Sequence, residues 1–101
     1  MILSELIEYL RSKDKNTKVK KGFNYPHSYR GYYEELAFEP CDDTTVGEML
    51  ECAQQALDNT YTGWKGGEFR MNGFSECYIA YAGNTGEGIG PILLDFMTEE
   101  K

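Results

Sequence analysis

Between Gly22 and Pro40 the chain reads GFNYPHSYRGYYEELAFEP. This stretch gathers side chains able to recognise a ligand: the single histidine, His27, together with Arg30 and four of the 8 tyrosines, Tyr25, Tyr29, Tyr32 and Tyr33. Arginine offers a planar, permanently charged fork matched to phosphate oxygens. Tyrosine rings stack on nucleobases, each stack contributing about 1–3 kcal/mol. A second group, Trp64, Lys65 and Arg70, lies in WKGGEFR and holds the only tryptophan. Its glycines, Gly66 and Gly67, would let backbone N–H groups approach a ligand closely. The expected binding set is therefore His27, Tyr29, Arg30, Tyr32, Tyr33, Trp64, Lys65 and Arg70. Arg30 and Arg70 are expected to converge on one anion, within a chain or across an interface.

Each group also has a plainer reading. A single tyrosine is more simply explained by packing over a sheet, and Arg30 by pairing with Glu34 or Glu35; for the cluster with His27, binding is the stronger reading. Trp64 to Arg70 serves equally well as a bulged strand whose tryptophan caps the core. The glycine run Gly86-x-Gly88-x-Gly90 before Pro91 resembles an anion loop at a helix N-terminus. It lacks the Lys-Ser/Thr of a P-loop and carries Glu87, so a flexible connector is the better account. Catalysis draws only on His27, acting as general base beside Glu34 or Glu35 in phosphodiester cleavage. No spacing supports a nucleophilic triad, and a hydrogen-bonding role for His27 is preferred. No cofactor or metal is expected, because Cys41, Cys52 and Cys77 have no C-x-x-C spacing and only one imidazole accompanies them.

The totals fit one soluble domain: 101 residues, 41% hydrophobic, 27% charged and a net charge of −7. That charge disfavours nonspecific nucleic-acid binding. No apolar run is long enough to cross a bilayer. The opening MILSELIEYLRSK interrupts its apolar residues with acids and lacks a cleavage site, so it does not read as a signal peptide and the cytoplasm is the expected compartment. Arg11, Lys13, Lys15, Lys18, Lys20 and Lys21 crowd the N-terminal region, where the simplest reading is a solvated helix end and turn.

Periodicity places the elements that must hold these groups. Leu3, Leu6, Ile7 and Leu10 form one apolar stripe, predicting a helix over about 2–13, with Ser4 as a possible cap. Lys18 to Phe23 reads as a short strand, and the irregular aromatic loop follows it. Leu36 and Phe38 alternate in a strand that Pro40 should end, with Cys41 to Thr44 as a loop. Thr45-x-x-Glu48 reads as a capping box, starting a helix over about 46–58 with Val46, Met49, Leu50, Ala53 and Leu57 inward. Thr60 to Met71 reads as a strand broken by bulges at its glycines. Asn72-Gly73 then predicts a hairpin into Glu76 to Tyr81. Pro91 should open a short helix with Ile92, Leu93, Phe96 and Met97 as its apolar face. The expected architecture is α+β: a small, mainly antiparallel sheet with two main helices on one face and a short C-terminal helix. Unpaired edges of so small a sheet suggest a homo-oligomer.

The motifs PHSYRGYYEELAFEP, TTVGEML, GWKGGEF and CYIAYAG, spanning roughly Val19 to Leu94, resemble a group of small proteins encoded by bacteriophages and some actinobacteria. The resemblance implies a phage protein acting in a host bacterial cytoplasm. By analogy of class, it implies an anti-defence sponge that sequesters a small anionic nucleotide signal, of the cyclic oligonucleotide or cyclic ADP-ribose type, without cleaving it. The alternative is an acidic phage protein that inhibits a host protein by direct contact.

Overall fold

The computed structural model describes residues 1–29, 35–57, 59–62, 68–81 and 86–98. The elements in order are α1 (Leu3–Arg11), β1 (Lys18–Ser28), β2 (Glu35–Thr45), α2 (Val46–Ala56), β3 (Thr60–Thr62), β4 (Glu68–Arg70), β5 (Glu76–Ile79), β6 (Glu87–Gly88) and α3 (Pro91–Thr98). The fold is α+β, as the sequence pattern predicts.

The two main helices follow their apolar stripes. Leu3, Leu6, Ile7 and Leu10 of α1 are all buried. Ser4 does not cap α1. Its first N–H groups are instead satisfied by backbone carbonyls, Leu3 N by Ser75 O at 2.8 Å and Ser4 N by Gly73 O at 3.0 Å. Glu5 accepts from the Ile2 N–H at 3.1 Å. At α2 the Thr45 hydroxyl accepts from Glu48 N at 3.2 Å, which is half of the expected box. The Glu48 carboxylate accepts from the Thr44 hydroxyl, at 2.7 Å. Val46, Met49, Leu50, Ala53 and Ala56 are buried, whereas Leu57, expected inward, terminates the helix and is exposed.

The main sheet has the order β1-β2-β5-β6. Two of its junctions are antiparallel, and the central β2–β5 junction is parallel. Rows of register partners cross all four strands: His27, Ala37, Tyr78 and Gly88 form one, and Pro26, Phe38, Ile79 and Glu87 the next. Alternation along each strand puts these two rows on opposite faces. Leu36, Phe38 and Cys77 join the helices in the main core, where the Phe23 and Phe38 rings lie 4.5 Å apart.

Several local expectations are overturned. The stretch from Gly22 to Ser28 is not a loop, because β1 continues through Pro26. The register slips between Asn24 and Pro26, and β1 is an edge strand; proline is tolerated where a bulge or an open edge makes its missing N–H harmless. Pro40 does not end β2 either. Beyond Phe38, β2 pairs with β1 alone among the described residues, so the missing N–H need not break two ladders. Within this extension Asp43 takes a left-handed conformation, φ 55°, which aspartate tolerates. Asn72-Gly73 makes a turn but no hairpin. Asn72 Oδ1 accepts from Phe74 N at 2.8 Å, an Asx turn that seats the chain on the start of α1. β4 pairs antiparallel with β3 in a separate two-stranded sheet, whereas β5 pairs with β2 and β6. The bulges expected at Gly63, Gly66 and Gly67 fall outside the described residues.

α3 starts at Pro91 as expected, but a different stripe is buried: Leu94 and Thr98. The Thr98 hydroxyl bonds back to Leu94 O at 2.7 Å, which lets a polar residue sit inside. Tyr9 of α1 donates to Asp95 and also meets the Thr98 hydroxyl, tying α3 to α1. Ile92 and Phe96 are left 86% and 72% exposed. No helix among the described residues is long and apolar enough to cross a membrane.

Candidate functional site

Of the eight residues expected to bind, His27, Tyr29 and Arg70 are described; Arg30, Tyr32, Tyr33, Trp64 and Lys65 lie outside the described residues, and with them the expected meeting of Arg30 and Arg70. The strand register brings His27 and Tyr29 to the sheet face opposite the main core, beside Ala37, Tyr78 and Ala80. Tyr29 stacks on Tyr78 with ring centroids 3.9 Å apart and planes 8° from parallel. At 7% exposure Tyr29 has little surface left for a base. Its hydroxyl accepts from Gly86 N at 3.3 Å.

His27 Nε2 lies 3.0 Å from Ala80 O. A carbonyl only accepts, so this nitrogen carries the proton and donates. The bond ties β1 to the end of β5 across the face of β2. Burial raises the Tyr78 phenol pKa, and the charge of Glu35 adds to the shift. Burial also pushes the Cys77 thiol up to about 12, which keeps it a protonated core residue. Arg70 belongs to β4, in the smaller sheet, opposite Thr60. Among the described residues no three His, Cys, Asp or Glu side chains are grouped to hold a metal ion.

The glycine run is structural at its start. A Cβ on Gly86 would lie 1.8 Å from Ile79 O and 2.6 Å from Ala80 Cβ, because the backbone there passes directly over the end of β5. Glu87 and Gly88 then pair with β5 as β6, where a connector was expected. Replacing Gly86 by Ala should force the segment off β5 and destabilise the fold by about 1–3 kcal/mol, an overpacking cost. Thermal melting followed by circular dichroism should show a drop of at least about 4 °C; an unchanged melting temperature would contradict this packing.

A candidate opening lies elsewhere. A cleft of about 1000 Å³ runs between β1, the sheet and α3. One end carries Asn16, Lys18, Lys20 and Lys21. Pro40 and Ile79 line its floor, Leu93, Phe96 and Met97 its α3 wall, and Gly86 and Glu87 its far end. Among the described residues none of the three lysines makes an ion pair within 4.0 Å. Lys21 has Asp42 as its register partner on β2, the same register sets Lys20 beside Asp43, and Lys18 faces Thr45. The expected face of α3 thus does form an apolar surface in Leu93, Phe96 and Met97, but it borders a cleft, and of the three only Met97 also packs against the main core.

This site was not anticipated from composition, which placed the lysines at a solvated helix end. The available signal was the spacing of Lys18, Val19 and Lys20 on a strand, with a buried valine between exposed cations. Lysines on an edge strand also discourage edge-to-edge association, a second role open to the same residues. No protein-family model matches the chain, and neither does any curated protein or solved structure.

Proposed function

We propose that the protein is a binding module that captures a small organic anion and holds it intact. The proposed ligand class is the nucleotide immune signal, and the proposed setting is a phage protein acting in the host cytoplasm. The observation that supports this most directly is the cleft: cations without ion-pair partners among the described residues at one end, beside an apolar wall. Ammonium groups attract phosphate oxygens, and the apolar wall can cover a base or sugar. Sequestration asks only for affinity and requires no activated nucleophile. The Tyr29–Tyr78 stack stiffens the opposite sheet face and so helps to hold the cleft in shape.

The test is to incubate purified protein with a panel of cyclic oligonucleotides and cyclic ADP-ribose derivatives, remove unbound ligand, and heat-denature the complex. Intact nucleotide released into the supernatant is the expected result. Release of cleavage products, or of nothing above a control protein, would overturn the reading. A second reading, inhibition of a host protein by direct contact, draws on Ile92 and Phe96, exposed one turn apart on α3. A host protein retained by the chain and lost on Phe96→Ala, with no nucleotide bound, would favour it.

A further inference from the structure

The cleft is chemically polarised. Lysines stand at one end, and at the other Glu87 lines it with an exposed side chain on β6. A carboxylate is out of place in a site that only attracts anions, because it repels every phosphate brought near it. It makes sense if the far end receives the part of the ligand that donates hydrogen bonds. The register sets the spacing. Glu87 pairs with Ile79, Ile79 with Phe38 and Phe38 with Pro26, so Glu87 is three strand spacings from β1, about 14 Å. Lys20 and Lys18 stand six and eight residues farther back along β1 than Pro26, making their diagonals from Glu87 roughly 24 and 30 Å between backbones. Long side chains at both ends shorten the Lys20 gap to the reach of one nucleotide and the Lys18 gap to that of a dinucleotide, phosphate at one end and base edge at the other.

An ionised carboxylate is acceptor-only and can take two parallel N–H donors. Among the common bases only guanine presents two adjacent donors on its pairing edge, N1–H and the 2-amino group. Adenine and cytosine each set an amino donor beside a ring-nitrogen acceptor, which a carboxylate would repel. We infer that the cleft selects guanine-bearing nucleotides: Glu87 reads the guanine edge while Lys18 and Lys20 hold the phosphate. This inference rests on the anion-binding reading above and adds the base.

The experiment compares cyclic di-GMP with cyclic di-AMP by isothermal titration calorimetry, on the wild-type chain and on Glu87→Gln. Wild type is expected to prefer cyclic di-GMP by about tenfold to a hundredfold, since a site that pairs donors rejects a base lacking them and an exposed carboxylate discriminates less than a buried one. Glu87→Gln is expected to lose most of that preference while keeping its thermal melting temperature, because the side chain is exposed. Equal wild-type affinity for the two ligands would overturn the guanine selection and leave anion binding standing. A preference that persists in Glu87→Gln would remove Glu87 from the role. Binding of neither ligand would overturn this inference, and failure of the whole panel above would overturn the binding module itself.

Discussion

Replacing Lys18 and Lys20 together by Glu is expected to weaken nucleotide binding by at least a hundredfold. Each charge-assisted contact to a phosphate contributes about 1.5–3 kcal/mol, or about tenfold or more in affinity, and reversal of charge adds repulsion. Stability should scarcely change, by no more than about 0.5 kcal/mol each, because both side chains are exposed and make no ion pair among the described residues. Wild-type affinity should also fall as salt is raised, since the ammonium groups remain accessible to counterions. Titration calorimetry at two ionic strengths reads both effects. The alternative role, protection of the β1 edge, makes a different demand: the double variant would then alter the association state in light scattering and leave ligand affinity untouched. That outcome would move the lysines from recognition to solubility.

The second large effect concerns the layer beneath the cleft. Phe38→Ala is expected to cost about 3–5 kcal/mol, the range for emptying a fully buried aromatic site. Phe38 is 0% exposed, packs on Phe23 at 4.5 Å and lies on β2 beside Ile79, which lines the cleft. A domain of this length holds about 5–15 kcal/mol in all, so the variant should melt at least about 12 °C lower and come close to unfolding at the lower end of that range. Denaturant titration gives the free energy directly. A loss below about 1 kcal/mol would mean that the two rings do not form the centre of the core. Phe38→Leu, which keeps most of the apolar volume, should recover much of the stability.

Local signals carried the helices. The stripe of Leu3, Leu6, Ile7 and Leu10 and the cap at Thr45 act over a few residues, so the chain alone specifies them. Alternation likewise placed Cys77 and Ile79 opposite Tyr78 and Ala80 before any partner strand was known. The strand ends were less legible because they depend on neighbours. Pro26 and Pro40 look like breaks until β1 is known to be an edge and β2 to have outrun β5. Thr98 is not part of the expected apolar face of α3, and its burial depends on a hydroxyl that bonds within its own helix. The aromatic segment was legible as unusual, but Tyr29 meets Tyr78 only through the parallel pairing of β2 with β5.

By itself, then, the sequence determined the α+β class, the two main helices, the start of α3 at Pro91 and the alternating faces of β5, each from a pattern contained within one element. Tertiary structure alone decided that Lys18 and Lys20, Pro40, Glu87 and Phe96 border one cleft. Their distances in sequence say nothing of this, because a cleft is shaped by sheet order and register. Those follow from burying Phe23, Phe38, Leu94 and the apolar faces of α1 and α2 together, a free-energy balance of the whole chain that no single segment contains.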